Sequence, residues 1–359
     1  MTLPIKPPIA PMLAKPVKDI PEPSSIAGGV HFEPKWDGFR CIIFKDGDHV
    51  ELSGRSESIT RYFPEMVAAA QQLLPSRVVL DGELVIAADD HLDFDALQLR
   101  IHPADSRVQL LSGQIPASYV AFDVLAHDDE SLLARPFGDR RRLLERLLKT
   151  VPPPFYATPV TTDRETAAQW FSVFEGAGLD GLIAKPLADP YQPGKRTLLK
   201  IKHERTADCV LAGYREHKSG GSVGSLLLGL YDEAGVLHHV GVASSFTAAR
   251  RTELVEELAP LVTDLEHHPW KPDTADAAKA RRPGALNRWN AGKNMEFVAL
   301  RPERVVEVAY DQLQGDRFRH TARFRRWRPD RKPASCTYDQ LDRPVAYHLA
   351  DVLTPHTAG

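Results

Sequence analysis

Cysteine is scarce in this chain: Cys41, Cys209 and Cys336 are the whole complement of 359 residues, far apart and in no Cys-x-x-Cys pair. An odd, dispersed set argues against a disulfide framework and against a zinc site. No apolar run approaches the ~20 residues that a membrane-spanning helix needs. The N-terminus, MTLPIKPPIAPMLAKP, has prolines where a secretory peptide needs an apolar core, and it lacks the Arg/Ser bias of an organelle transit sequence. Residence in the cytoplasm is the expectation. An excess of one charge is also missing: 45 Lys and Arg against 48 Asp and Glu leave a net charge of -3, which argues against indiscriminate nucleic-acid binding by the whole surface. What remains is a globular composition, 43% hydrophobic and 26% charged, in a chain long enough to favour two cores over one.

The first part of the chain reads as antiparallel sheet. Phe39 to Lys45 ends at Asp46-Gly47, and Val78 to Ala87 is followed by an Asp89-Asp90 turn. Helical periodicity runs through Pro64 to Leu74, Asp139 to Lys149 and Asp163 to Ala177, the last with Asp163 as its N-cap. Val151-Pro152-Pro153-Pro154 is a stiff connector rather than a boundary, since strands resume at Phe155 and lead toward Gly181 to Lys185. From about Thr206 the character changes. Ala207 to Tyr214, Ser225 to Asp232, Val236 to Val242 and Arg304 to Tyr310 read as short strands, with one helix between Thr247 and Leu258, a pattern that suits a small OB-type barrel.

Two features could mislead. The loop Lys218 to Gly224 is glycine-rich but lacks the Gly-Lys-Ser/Thr ending and the strand-to-helix context of a P-loop, so it reads as a hairpin. The stretch from Glu266 to Asn290 reads as a surface connection, and the pairs His238-His239 and His267-His268 as solvated, because nothing supplies further metal ligands at suitable spacing. The run from Arg317 to Lys332 is different. It carries seven arginines and Lys332 with Phe318, Phe324 and Trp327 interleaved, which places aromatic rings on one strand face and guanidinium groups on the other, an arrangement suited to an anionic ligand.

The octet Glu33-Pro34-Lys35-Trp36-Asp37-Gly38-Phe39-Arg40 carries the most chemistry. A lysine amine attacks phosphorus only after losing its proton, and an unperturbed pKa of ~10.4 makes that form scarce at neutral pH. Neighbouring cations depress that pKa and neutralise the phosphate under attack. Such a site needs a spaced set of carboxylates and lysines. The chain supplies Arg55, Glu83 in Leu80-Asp81-Gly82-Glu83-Leu84, Phe122-Asp123, Asp180-Gly181-Leu182-Ile183-Ala184-Lys185, and Lys200-Ile201-Lys202. Singly, each has a structural explanation; their joint order and separations do not arise easily by chance.

In this order the motifs resemble the covalent nucleotidyltransferase superfamily of ATP-dependent DNA ligases, RNA ligases and mRNA capping enzymes, over nearly the whole chain. Pro11-Met12-Leu13-Ala14, Gly224 to Asp232 and Gly315-Asp316-Arg317-Phe318-Arg319-His320 look like the bacterial ATP-dependent DNA ligases, particularly the ligase C type and the ligase domain of ligase D. The resemblance implies an α+β fold: an adenylation domain over 1–204 made of two antiparallel sheets with flanking helices, then an OB-fold β-barrel with a C-terminal extension over 205–359. It also implies roles. Lys35 is the nucleophile that takes AMP, and Glu33 lies beside the adenine. Arg40 and Arg55 bind the ribose and phosphate region or the nick phosphate. Glu83 contacts the ribose and, with Asp180, holds Mg²⁺ or Mn²⁺; Phe122 stacks on the adenine. Lys200 and Lys202 contact the α-phosphate, and Arg328 clamps the departing pyrophosphate from the barrel, which closes and reopens about a hinge near His203 to Ala207.

This sequence departs from the family pattern twice. Asp180-Gly181 stands where Glu-Gly is usual, so the carboxylate must sit about one methylene closer to a metal, and Arg331 stands where the last motif usually ends in Lys. With only residues 1–34 ahead of Lys35, no room is expected for the helical domain that encircles the duplex in larger ligases. The expectation is a monomeric, two-domain minimal ligase acting on nicked double-stranded DNA, with a repair polymerase or a DNA-end-binding protein as partner. An RNA ligase, a capping-type guanylyltransferase and a non-enzymatic OB binding module are the alternatives.

Overall fold

The computed structural model describes residues 1–55, 57–88, 90–271, 281–283, 296–342 and 344–353. The chain divides into two compact units, Met1–Lys202 with Pro344–Gly359, and His203–Arg343.

In the first unit, β1 (Leu13–Val17), β2 (Val30–Pro34), β3 (Phe39–Asp46), β4 (His49–Ser53) and β5 (Arg77–Val85) come first. A small hairpin of β6 (Ala87–Ala88) and β7 (His91–Leu92) follows, then β8 (Ser118–His127) with the two-residue β9 (Glu130–Ser131) against it. β10 (Phe155–Ala157), β11 (Leu182–Pro186) and β12 (Arg196–Ile201) complete the set. They form a four-stranded sheet, β1-β12-β11-β2, and a larger one, β10-β8-β5-β3-β4. Both are antiparallel apart from one edge pair each, β1 with β12 and β10 with β8. Six helices belong to this unit among the described residues: α1 (Pro64–Leu73), α2 (Phe94–Leu99), α3 (Asp105–Gln114), α4 (Phe137–Leu148), α5 (Arg164–Val173, capped by Asp163) and, after the second unit, a short C-terminal one (Leu349–Leu353).

Strand alternation decides what faces what. On β5, Val78, Leu80 and Leu84 point into a core shared with α1 and α4, and Val79 points the other way, toward the four-stranded sheet. Asp81 and Glu83 lie on the Val79 side by the same period of two. Tyr191 and Leu198 meet Ile42, Phe44, Val79 and Leu125 between the sheets, while a third core packs Phe32, Leu182, Ala184 and Ile201 against Trp170 and Phe174.

The C-terminal segment was expected with the barrel but belongs to the first unit. Leu349 and Val352 are buried in its third core, Tyr347 packs 5.2 Å from Phe174, and the Leu349 N–H donates to the Asp90 carbonyl. The apolar spacing of Tyr347, Leu349 and Val352 is too short to declare itself as a helix without the surface it covers.

The second unit contains β13 (Arg205–Glu216), β14 (Val223–Tyr231), β15 (Leu237–Ser244), β16 (Val298–Tyr310), a β17 (Leu313–Gln314) and β18 (Arg317–Phe318) hairpin, and β19 (Ala322–Trp327). The barrel closes in the order β13-β14-β15-β19-β16, with β15 and β19 parallel. A helix, α6 (Ala248–Leu258, capped by Thr247), joins β15 to β16. This is the OB connectivity. The aromatic–basic alternation on β19 is broken by a bulge at Arg325, the extra residue opposite the Glu307–Val308 step of β16, which lets Phe324 and Trp327, three residues apart, make edge-to-face contact at 5.0 Å.

The supposed surface connection after Glu266 is partly core. Trp270 is 2% exposed, its indole N–H donates to the Leu237 carbonyl, and His268 is buried with a ring nitrogen on the Ala212 carbonyl. His238 and His239 are buried too, not solvated. Trp270 packs edge-on to His239, Phe297 to His268, and Tyr338 lies beside His238, contacts that no local pattern reveals. The rest of that stretch, 272–280 and 284–290, and Asp89 of the expected turn lie outside the described residues. No described helix is long and apolar enough to cross a membrane.

Candidate active site

Register brings Lys35 to a carboxylate. β2 pairs with β11 from Val30 opposite Pro186 to Pro34 opposite Leu182, and two main-chain bonds of 2.9 Å extend the ladder: Lys35 N–H to the Gly181 carbonyl and Asp180 N–H to the Lys35 carbonyl. The Lys35 ammonium therefore reaches Asp180 Oδ2 at 2.6 Å, and Lys202 Nζ meets the same oxygen at 2.8 Å. Lys200, two residues before Lys202, sits in the same cluster; burial, Lys202 and Lys35 pull its pKa down. Trp36 anchors the octet, buried with its indole N–H on Thr158 Oγ1 at 2.8 Å.

The glycines of Asp37-Gly38 and Asp180-Gly181 each have a steric reason. A Cβ on Gly38 would lie 2.1 Å from the Leu84 carbonyl, so β3 can begin beside Glu83 only without a side chain there. Gly181 has φ +100° and a similar 2.1 Å conflict with the Ile201 carbonyl.

The larger sheet contributes one face of Arg40, Asp81, Glu83 and Phe122. Arg40 stands opposite Glu83 in register, and its Nε and Nη2 each donate to Asp81 at 2.6 Å. Tyr191, in the loop between β11 and β12, locks that carboxylate, donating to Asp81 Oδ2 at 2.7 Å while accepting from the Met12 N–H at 3.0 Å. Arg40 also lies 4.4 Å from the Phe122 ring centroid, as does Lys185 Nζ, and Phe122 is buried. A base that stacks on that ring takes the place of one of them. Arg55 is exposed but acts on Glu83 through its charge.

Glu33 and Lys185 form a buried pair at 2.7 Å. Burial pushes the Glu33 carboxyl up and the Lys185 amine down, each opposed by its partner. Lys185 also donates to the Phe122 carbonyl at 3.3 Å, and Glu33 Oε2 is buried without a hydrogen-bond partner among the described residues. Beneath them Arg140 makes a bidentate pair with Asp123 at 2.8 and 2.9 Å. Sequence reasoning assigned no role to Lys185, Asp81, Tyr191 or Arg140. Lys185 and Asp81 stood inside quoted motifs, whereas nothing local singles out Tyr191.

Arg328 belongs to the second unit. Its guanidinium is held by Asp208 at 3.0 Å, Asp330 at 2.7 Å and Glu307 at 3.4 Å, and Asp330 is pulled down to about 2 chiefly by its bonds to Arg328.

Among the described residues no group of three or more His, Cys, Asp or Glu side chains could hold a metal ion. Glu83 and Asp180 still suit Mg²⁺, which is commonly bound by one or two carboxylates and completes its shell with substrate phosphates and water.

Burial pushes the Glu83 carboxyl up to about 7, against the pull of Arg40 and Lys35. A raised carboxyl binds its proton more tightly folded than unfolded, so stability falls as pH rises from about 4.5 to about 7 and stays lower above it. Glu83→Gln removes that titration. In EDTA the variant should melt above wild type at pH 8, by up to about 3 kcal/mol, with the gain shrinking toward pH 5, while adenylylation falls. Calorimetric melts across this range check it; a difference that does not change with pH contradicts the raised carboxyl.

Comparison with known proteins agrees with this architecture. Residues 11–202 match the ATP dependent DNA ligase domain family and residues 219–331 the ATP dependent DNA ligase C terminal region. DNA ligase C2 of Mycolicibacterium smegmatis is 58% identical over 349 residues, 96% of this chain and 97% of the other. DNA ligase C of Mycobacterium tuberculosis is 55% identical over 361 residues, 98% of this chain and 99% of the other. A solved structure from work on Lig E DNA ligases covers 89% of this chain and 99% of its own, with a TM-score of 0.54 at 18% identity, a likeness of fold alone. With a two-sheet unit followed by an OB barrel, and family matches spanning both, the chain belongs to the ATP-dependent DNA ligases.

Proposed function

We propose that this chain, an ATP-dependent DNA ligase, seals nicks between a 3′-hydroxyl and a 5′-phosphate through AMP carried on Lys35. The observation that carries the reading is the convergence of Lys35, Lys202 and Lys200 on Asp180, together with a buried oxygen of Glu33 that has no hydrogen-bond partner among the described residues.

That oxygen calls for a donor. The amino group of adenine supplies one, whereas guanine presents a carbonyl there and would face Glu33 acceptor to acceptor, which favours ATP over GTP. In the first step Lys35 leaves Asp180, gives up a proton and attacks the α-phosphorus; a P–N bond forms and the bond to pyrophosphate breaks. Lys200 and Lys202 stabilise the negative charge on the phosphorus centre as it expands. Arg328 exchanges its carboxylate partners for the pyrophosphate. A divalent cation held by Glu83 and Asp180 would supply further neutralisation of the triphosphate. AMP then passes to the 5′-phosphate at the nick with cleavage of the P–N bond. Finally the 3′-hydroxyl attacks that phosphate, AMP leaves and the strand is continuous. Arg40 and Arg55 are assigned to the nucleotide and nick phosphates, and Phe122 to the base.

The test compares labelling by α-labelled ATP and GTP, then sealing of nicked DNA and nicked RNA. Labelling by ATP with sealing of DNA is expected. Preference for GTP would favour the capping reading, and preference for nicked RNA the RNA-ligase reading.

A further inference from the structure

On the second unit, about β15 and β18, cationic side chains gather with too little negative charge to balance them. Arg317 of β18 places Nη2 3.4 Å from Nδ1 of His239 on β15, and the main chain of Arg281 binds the same strand, its carbonyl accepting from the His239 N–H at 2.8 Å and its N–H donating to His238 Nδ1 at 3.1 Å. Arg215, near the end of β13, lies within electrostatic range of both Arg317 and His239. Arg281 is answered by Asp316 at 3.0 Å and the Tyr338 hydroxyl at 3.1 Å. Arg215 and Arg317 have no ion pair among the described residues.

The donors here are left over. Nε of Arg215, Nε of Arg281 and Nε2 of His239 are buried with no hydrogen-bond partner among the described residues. Leaving buried N–H groups unmatched and crowding like charges both cost free energy, so a protein keeps such a set where a ligand satisfies it. The charge states agree. Burial, then Arg317 and Arg215, pull His239 down to about 3, so it stays neutral, and burial and the neighbouring arginines draw Arg215 and Arg317 below their ordinary values. The base is stiff: the Trp270 edge meets His239 at 5.5 Å, and Gly241 lets the β18 hairpin lie directly on β15, since a Cβ there would fall 2.9 Å from Phe318.

We propose that Arg215, Arg281 and Arg317, gathered about His239 on the barrel, form a phosphate-binding site that grips a backbone phosphate of the DNA substrate. Planar guanidinium forks match phosphate oxygens, and a neutral imidazole adds a donor without adding repulsion. The inference rests on the reading of DNA as substrate. Free pyrophosphate has the same chemistry, and the test separates the two sources.

Fluorescence anisotropy of nicked duplex binding, read across salt concentrations, compares wild type, Arg215→Gln, Arg317→Gln and the double variant. Exposed Arg301→Gln on the same barrel serves as a charge control and Arg317→Lys as a conservative variant, with folding checked by melting. Each single substitution should weaken binding roughly tenfold at low salt and flatten the slope of log K against log salt by about one. Arg301→Gln should leave the slope unchanged, Arg317→Lys should keep most of it, and self-adenylylation by ATP should match wild type in all. A folded double variant with the wild-type slope overturns the site. So does a double variant that binds DNA normally but loses inhibition by added pyrophosphate, which would assign the cluster to the free anion. A wild type that self-adenylylates yet binds no duplex overturns the ligase reading and the site with it.

Discussion

A Lys35→Ala variant is expected to take up no denaturation-stable label from α-labelled ATP and to lose sealing of an ordinary nick by on the order of 10⁴-fold or more. The same variant should still seal a nick whose 5′-phosphate already carries AMP, within roughly tenfold of wild type, because the last step uses the 3′-hydroxyl as nucleophile and not the lysine. This split separates loss of a nucleophile from loss of the site. Deleting Lys35 leaves Lys202 on Asp180 Oδ2, and the two main-chain bonds that fix the register do not involve the side chain. A variant that seals neither substrate and melts normally would mean that Lys35 also holds the nick phosphate.

The second large effect falls on stability. Glu33 and Lys185 are both nearly inaccessible and meet at 2.7 Å. Glu33→Ala strands a buried ammonium, and Lys185→Met strands a buried carboxylate; each should cost about 3–5 kcal/mol. For a unit of this size that is a fall in melting temperature on the order of 10 °C. Removing both together should cost less than the sum, because no uncompensated charge remains. Calorimetry of the two single variants and the double gives the coupling directly. Additive losses would show that the pair is not a functional unit, and a stable Glu33→Ala protein would show that Lys185 finds another partner or sheds its proton without penalty. Glu33→Ala should also lose discrimination between ATP and GTP, an effect that the stability term alone does not produce.

The chemistry was legible in the sequence wherever it depends on residue type and order. Lys35, Asp180, Lys200 and Lys202 stand in motifs whose spacing reads as charge assembled for phosphorus, and in the structure their side chains come together. The barrel was legible because alternating strands and one capped helix are local signals. What escaped depends on contacts between distant segments. Tyr191 earns its place through bonds to Met12 and Asp81, both more than a hundred residues earlier in the chain. Lys185 stood in a quoted motif without a role until β11 paired with β2 and set it opposite His31, beside Glu33. His239 and Trp270 read as surface because their neighbourhood is polar in sequence, while the barrel wraps them in aromatic edges. The C-terminal helix packs on the first unit, an association that no local periodicity encodes.

Asp180 shows how the structure sharpens a substitution. A carboxylate one methylene shorter than glutamate was expected to approach a metal more closely; here one of its oxygens takes both the Lys35 and Lys202 ammonium groups. We therefore assign it a second duty, holding Lys35 in place until the nucleotide arrives, in addition to the proposed metal contact.

The central claim is that AMP becomes bonded to the Nζ of Lys35. The direct measurement is peptide mapping by mass spectrometry of wild-type protein treated with ATP and divalent cation, digested under mildly alkaline conditions that preserve the P–N bond. The account predicts a mass increase of one AMP residue confined to the peptide that carries Lys35, discharged when nicked DNA is added. An adduct on Lys185, Lys200 or Lys202 instead, or an adduct at Lys35 that nicked DNA does not discharge, would contradict it.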